Sequence, residues 1–130
     1  VPTSIVLVHD VAEFVEHTAT ALRAVGYAVT TFSDTMTAID ALENEQPVDI
    51  LITRVNFAPG QPNGVAFALM ARVRRPGLNV LFVGLPERFP YTEGVGVLLP
   101  APVTAADVVA AVAGLLANPS RPPGVVAEAG

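Results

Sequence analysis

VDILITRVNF (residues 48–57) opens on a run in which Val48, Ile50, Leu51 and Ile52 are apolar, and it reaches the guanidinium of Arg54 just as that run ends. A short, nearly continuous apolar run of this kind fits a strand buried on both faces, the usual condition in a parallel sheet. A helical pattern closed by Pro47 precedes it, and a loop rich in Pro and Gly leads from it to another helical pattern. A strand with a helix on either side in the chain points to βαβ units. What a cation does at the tip of such a strand is the question the rest of the sequence has to answer.

Outward from that stretch, the same alternation recurs. SIVLVHD (4–10) fits a first buried strand, and Asp10 can cap a helix with Val11, Phe14, Val15, Thr18, Leu22 and Val25 at intervals of three and four. Gly26 is placed to stop that helix. YAVTTF (27–32) is the second strand; Ser33 or Asp34 then caps a helix with Met36, Ile39 and Leu42 on one face. DILIT (49–53) is the third strand, followed by a helix over 65–74, a turn at RPGLN (75–79) and a fourth strand, VLFVG (80–84). Pro86, Pro90, Gly94 and Gly96 then leave room for one or two helical turns at most. VGVLLP (95–100) is the fifth strand and Thr104 begins a last helix, AADVVAAVAGLLA (105–117). The tail NPSRPPGVVAEAG (118–130) has no periodicity and is expected to be a flexible tail or linker, leaving residues 1–117 as the folded domain. The expected architecture is α/β and flavodoxin-like: a five-stranded parallel sheet in the order 2-1-3-4-5, helices on both faces, helix 4 shortened or missing.

Composition narrows the function classes. The chain has 130 residues, enough for one core, and 52% of them are hydrophobic against 15% charged. A net charge of −5 argues against direct nucleic-acid binding, and the one basic cluster, Arg72, Arg74 and Arg75, falls where a helix end favours cations. No apolar run is long enough to span a membrane, and a cytoplasmic location is expected. With no cysteine there is no disulfide, thiolate or zinc-ribbon chemistry. All seven basic residues are Arg, so mechanisms built on a catalytic or phosphate-binding lysine are excluded. APGQPNG (58–64) lacks the spacing and lysine of a phosphate loop and reads as turn chemistry and a candidate contact surface. His9 and Asp10 are adjacent on a strand, so they point to opposite faces rather than forming a dyad. With His9 and His17 the only histidines, no metal site is expected.

Four segments together, IVLVHD (5–10), ALRAVGYAVTTFSD (21–34), PVDILI (47–52) and LLPAPVTAADVVAAV (98–112), resemble the receiver domain of two-component response regulators over residues 4–117. The resemblance implies where that family's phosphorylation chemistry would lie. Its acidic, Mg²⁺-binding pair ends strand 1, where this chain has His9 and Asp10. Its phosphoacceptor aspartate ends strand 3, where this chain has Arg54. The hydroxyl donor ending strand 4 corresponds to Gly84, the lysine before a cis proline ending strand 5 corresponds to Ala101 before Pro102, and the aromatic switch residue corresponds to Leu98.

Phosphoryl transfer to a carboxylate needs a nucleophile, a Mg²⁺ and donors for the developing charge. A guanidinium is no nucleophile, and it repels Mg²⁺: two unit charges 4 Å apart already repel by about 4 kcal/mol at an effective dielectric of 20. Arg54 is therefore expected to fill the metal's place and to pair with Asp10, a side chain standing in for the cation. The chain is expected to be no enzyme, to hold no cofactor and to act as a phosphorylation-independent protein-interaction and signalling domain. Its partner would be another signalling protein or an output domain. The last helix has Asp107 as its one charge. Either the shortened helix 4 region, with Phe89 and Tyr91, folds over it, or it is buried in a homodimer face including Leu98, Val109, Val112 and Leu116. The homodimer is the expectation, because a stripe of Ala and Val lets two helices approach closely. A different reading keeps the fold but has Arg54 bind a small anion or metabolite at the switch point between strands 1 and 3.

Overall fold

In the computed structural model, which describes residues 2–44, 47–57 and 63–117, five parallel strands form one sheet in the order β2-β1-β3-β4-β5. The strands are β1 (Ser4–Val8), β2 (Ala28–Phe32), β3 (Ile50–Arg54), β4 (Asn79–Gly84) and β5 (Val97–Pro100). The three central strands are buried along nearly their whole length, whereas β2 and β5 form half-exposed edges. The apolar runs thus became central strands because helices cover both of their faces.

Alternation along the strands splits the core into two layers. Ile5, Leu7, Ile50, Ile52, Leu81 and Val83 face helices α1 (Ala12–Val25) and α5 (Ala105–Ala117). Val6, Val8, Leu51, Val80 and Phe82 face α2 (Thr35–Leu42) and α3 (Gly64–Arg74). Each such side chain, fully buried, contributes about 1.5–3 kcal/mol.

Local chemistry sets the helix boundaries. Gly26, at φ 113°, takes the left-handed conformation that closes α1 and donates its N–H to Arg23 and Leu22 carbonyls. Asp34 caps α2 by accepting from the Thr37 N–H at 2.8 Å, and Asn63 caps α3 from the Ala66 N–H at 2.8 Å. Thr104 and Asp107 form a reciprocal capping box at the start of α5, at 2.9 and 3.1 Å. Between β4 and β5 the prolines permit only a single 3₁₀ turn (Pro86–Arg88) and the four-residue α4 (Phe89–Thr92).

Three details differ from the sequence reading. On α2 the buried positions are Thr35, Ala38 and Leu42, while Met36, rotated one residue around the helix, is 61% exposed. On α1 the buried centre is Thr18, Ala19 and Leu22; Val11 and Val25 lie at the helix ends and face solvent. Phe89 and Tyr91 do not close over a neighbour but stand exposed. The expectations for residues 58–62 of the loop and for the tail at 118–130 lie outside the described residues.

Candidate functional site

Parallel strands bring their carboxyl ends to one edge of the sheet, and the register Val8 to Thr53 and Arg54 to Val83 aligns β1, β3 and β4 there. The chain leaves β1 through His9, whose N–H donates to the Phe32 carbonyl at 3.1 Å and keeps the residue in line with the sheet. His9 is buried, its ring 4.5 Å from that of Phe14, and its Nδ1 accepts the Val11 N–H at 3.1 Å. An accepting Nδ1 places the remaining ring proton on Nε2 and makes the imidazole neutral. Burial, with Arg54's charge in support and Asp10 opposing, lowers its pKa from 6.5 to about 4. The His9 ring, not Asp10, thus receives an N–H at the entrance to α1, and the expected cap by Asp10 is not formed.

Asp10 is directed elsewhere. Its Oδ1 accepts from Arg54 Nη1 at 2.5 Å, a charge-assisted contact between side chains left 35% and 38% exposed. The strand-tip cation therefore turns back across β1 and β3 onto the neighbouring carboxylate. Partial burial works to raise the Asp10 pKa, but the hydrogen bond and charge of Arg54 outweigh it and the pKa is lowered. At this exposure the pair contributes about 0.2–1 kcal/mol to stability. His9 Nδ1 lies 3.8 Å from the same Oδ1, beyond hydrogen-bond distance, so the two do not form a dyad. Thr53 is fully buried and donates to the Arg54 carbonyl at 3.1 Å, so it offers no accessible nucleophile.

The ends of β4 and β5 add no polar side chain. A Cβ on Gly84 would lie 2.8 Å from Val55 Cγ2, so the space a side chain would occupy is already taken by valine. Ala101 donates its N–H to the Gly84 carbonyl at 2.7 Å and precedes a cis peptide bond to Pro102. Leu98 is half-buried against the α2/α3 layer. Among the described residues no three His, Cys, Asp or Glu side chains gather as a metal site would require. Mg²⁺ prefers several oxygen ligands in octahedral array, and here a single carboxylate is already bound by a guanidinium; the residues present do not fit the ion.

Two features of this site escape pattern reading. Gly64 brings the start of α3 against β3, its N–H donating to the Val55 carbonyl at 2.7 Å, and a Cβ there would sit 1.8 Å from the Arg54 carbonyl oxygen. This contact holds the backbone that carries Arg54. The Val55–Gly84 contact is the other, and both are signalled in the sequence only by a glycine at an element boundary.

The residues expected at a homodimer face are distributed differently. Val112 is completely buried in the α1/α5 layer and unavailable to a partner, because α5 packs on α1 and the sheet. Val109 and Leu116 are half-buried against the same layer, and the outward positions Ala106, Ala110, Ala113 and Ala117 are small.

No family model and no curated protein matches this chain. Solved structures do. A response regulator receiver protein from Sinorhizobium medicae superposes with a TM-score of 0.81 at 25% identity, covering 92% of this chain and 98% of that one. A CheY-like receiver domain protein from Methanospirillum hungatei gives 0.80 at 18% identity over 92% and 97%. The response regulator DrrB of Thermotoga maritima, an OmpR/PhoB homolog, gives 0.76 at 20% identity over 91% of this chain but 54% of its own. The fold is that of response regulator receiver domains.

Proposed function

We propose that this domain is a degenerate receiver that works as a phosphorylation-independent interaction module in signalling. The observation that carries the reading is the Asp10–Arg54 pair: the guanidinium lies on the strand-1 carboxylate, where receivers of the resembled family hold their metal. Three further observations support it. The strand-4 position is a glycine with valine packed against it, the strand-5 position is Ala101, and the chain has no lysine. Nucleophile, metal ligands and donors are then all lacking, and what remains to carry function is surface. Arg54 as an anion site is the weaker reading, since its Nη1 already serves Asp10.

The partner is a signalling protein or an output domain, as the partial coverage of DrrB's length suggests for a module joined to others. The test is incubation with Mg²⁺ and acetyl phosphate, read by intact mass, alongside sedimentation with and without beryllofluoride. No phosphoryl adduct and an unchanged sedimentation profile are expected. An adduct that survives in the wild-type chain, or a change of mass or shape with beryllofluoride, overturns the reading.

A further inference from the structure

A surface helix of a globular domain normally turns a polar face to water. α3 does not: Phe67, Ala68 and Ala71 are buried, yet Leu69, Met70 and Val73 on the opposite side are 49%, 48% and 79% exposed. A cleft of about 70 Å³ runs between α2 and α3, lined by Ile39, Leu42, Met70 and Ala71 together with Glu43 and Arg74, and Met36 of α2 is 61% exposed. Contiguous apolar surface rimmed by charge marks an interaction site.

The rim says what kind of partner fits. α3 bears no acidic residue in its first turn, and Arg72, Arg74 and Arg75 cluster at its end. Arg72 donates to the Leu78 carbonyl at 3.0 Å, and Arg75 donates to the Leu42 and Asn44 carbonyls at 3.2 and 2.5 Å. Neutral carbonyls fix these guanidinium groups in place without cancelling their charge. Among the described residues only Arg74 meets an acid, Glu43 at 3.4 Å, and that pair is exposed. On a molecule of net charge −5 this is a local basic edge beside an apolar stripe, and screening over about 8 Å makes the local sign decisive. A second copy fits poorly. Antiparallel pairing of two α3 helices would set each arginine cluster against the positive N-terminal end of the other.

We propose that the outward face of α3 docks an amphipathic helix of a partner protein, its apolar stripe laid along Leu69, Met70 and Val73 and its acidic flank on the arginines. Recognition is of the helix-in-groove kind, with apolar anchors for affinity and charge for orientation. The surface takes the interaction-module reading as its premise, but the two fail separately: a chain that accepts phosphate yet binds as described here loses only the reading of the strand-tip site.

The experiment uses two synthetic helical peptides with the same leucine stripe, one flanked by Glu and the other by Lys, titrated into the whole chain and followed by methyl and amide NMR. The Glu peptide is expected to bind saturably, with shifts confined to α2 and α3, and to bind at least about tenfold more weakly to Val73→Asp. That residue's exposure leaves the fold intact. Arg74→Glu is expected to reverse the preference toward the Lys peptide. Equal binding of both peptides, shifts centred on another face, or no binding overturns the proposal. So does self-association of the unmodified chain that Val73→Asp abolishes, since a second copy would then be the occupant.

Discussion

His9 and Asp10 stand next to each other but lose their contributions to stability in different pH windows. The His9 pKa is depressed in the fold, to about 4 from 6.5, so protonation favours the unfolded chain. Its contribution is complete above about pH 6.5, declines through the interval down to about 4, and amounts to roughly 3 kcal/mol when integrated over that shift. Asp10 is also depressed, so its contribution is present above its ordinary value of 3.8 and is lost only as pH falls below that. Urea denaturation at a series of pH values should therefore show stability falling between pH 6.5 and 4 in the wild type. The fall should be much reduced in His9→Gln and retained in Asp10→Asn; a slope indifferent to His9 would contradict the buried neutral imidazole. A second prediction belongs to Gly84. Restoring a hydroxyl with Gly84→Thr drives a Cβ into Val55, which lies 2.8 Å from its place. Overpacking of this kind costs about 1–3 kcal/mol, and part of it should be recovered when Val55→Ala removes the Cγ2 contact, the Cβ at 3.1 Å remaining. Additive effects in the double-mutant cycle would show that the two positions do not share this space.

Between elements, Arg75 takes a role that its place in a basic cluster does not disclose. α2 ends without a left-handed glycine, at Glu43; the Glu43 and Asn44 N–H groups serve the Ile39, Asp40 and Ala41 carbonyls, and the Leu42 carbonyl takes its donor from outside. Arg75, following α3, reaches across to the Leu42 and Asn44 carbonyls and caps the neighbouring helix. Arg75→Ala should cost about 1–2 kcal/mol and speed amide hydrogen exchange in the last turn of α2 while leaving α1 unchanged. Unaltered exchange there would remove the cap from the account. The strands, their order and the curtailed α4 were legible because runs of Val, Ile and Leu and two closely spaced prolines have few other readings. The outward faces of the helices were not. α5 is apolar nearly all round and suggested an interface; its outward residues are alanines, while its valines and leucines turn inward to α1 and the sheet. α3 has leucine, methionine and valine outward instead. A pattern that counts Ala and Leu alike does not separate these cases. The Asp10–Arg54 pair was legible because parallel strands from a common edge bring their tips together, whereas the turn of the Asp10 carboxylate away from α1 depended on His9 taking the Val11 N–H.

At the scale of the whole molecule, a net charge of −5 draws divalent cations weakly toward the surface, so a specific metal site must be separated from general screening. Linkage makes the separation quantitative. A native-state site with a dissociation constant of about 1 mM would stabilise the fold by about 1.4 kcal/mol in 10 mM Mg²⁺, a shift of several degrees in melting temperature for a domain of this size. If Arg54 on Asp10 keeps the ion from the strand tips, as proposed, the melting temperature in MgCl₂ should stay within about 1 °C of that in NaCl of equal ionic strength. Arg54→Asp supplies the contrast: it removes the cation and brings a second carboxylate to the tip of β3 beside Asp10. That variant should be less stable than the wild type in NaCl, because two carboxylates then repel, and should recover part of the loss in MgCl₂. It should still take no phosphoryl group from acetyl phosphate, since Gly84 and Ala101 offer neither the hydroxyl nor the cation that would steady the transferring oxygens. Magnesium sensitivity in the wild type would mean that Arg54 yields its place to the ion. Insensitivity in both proteins would mean that the acidic site is lost at more positions than Arg54 alone.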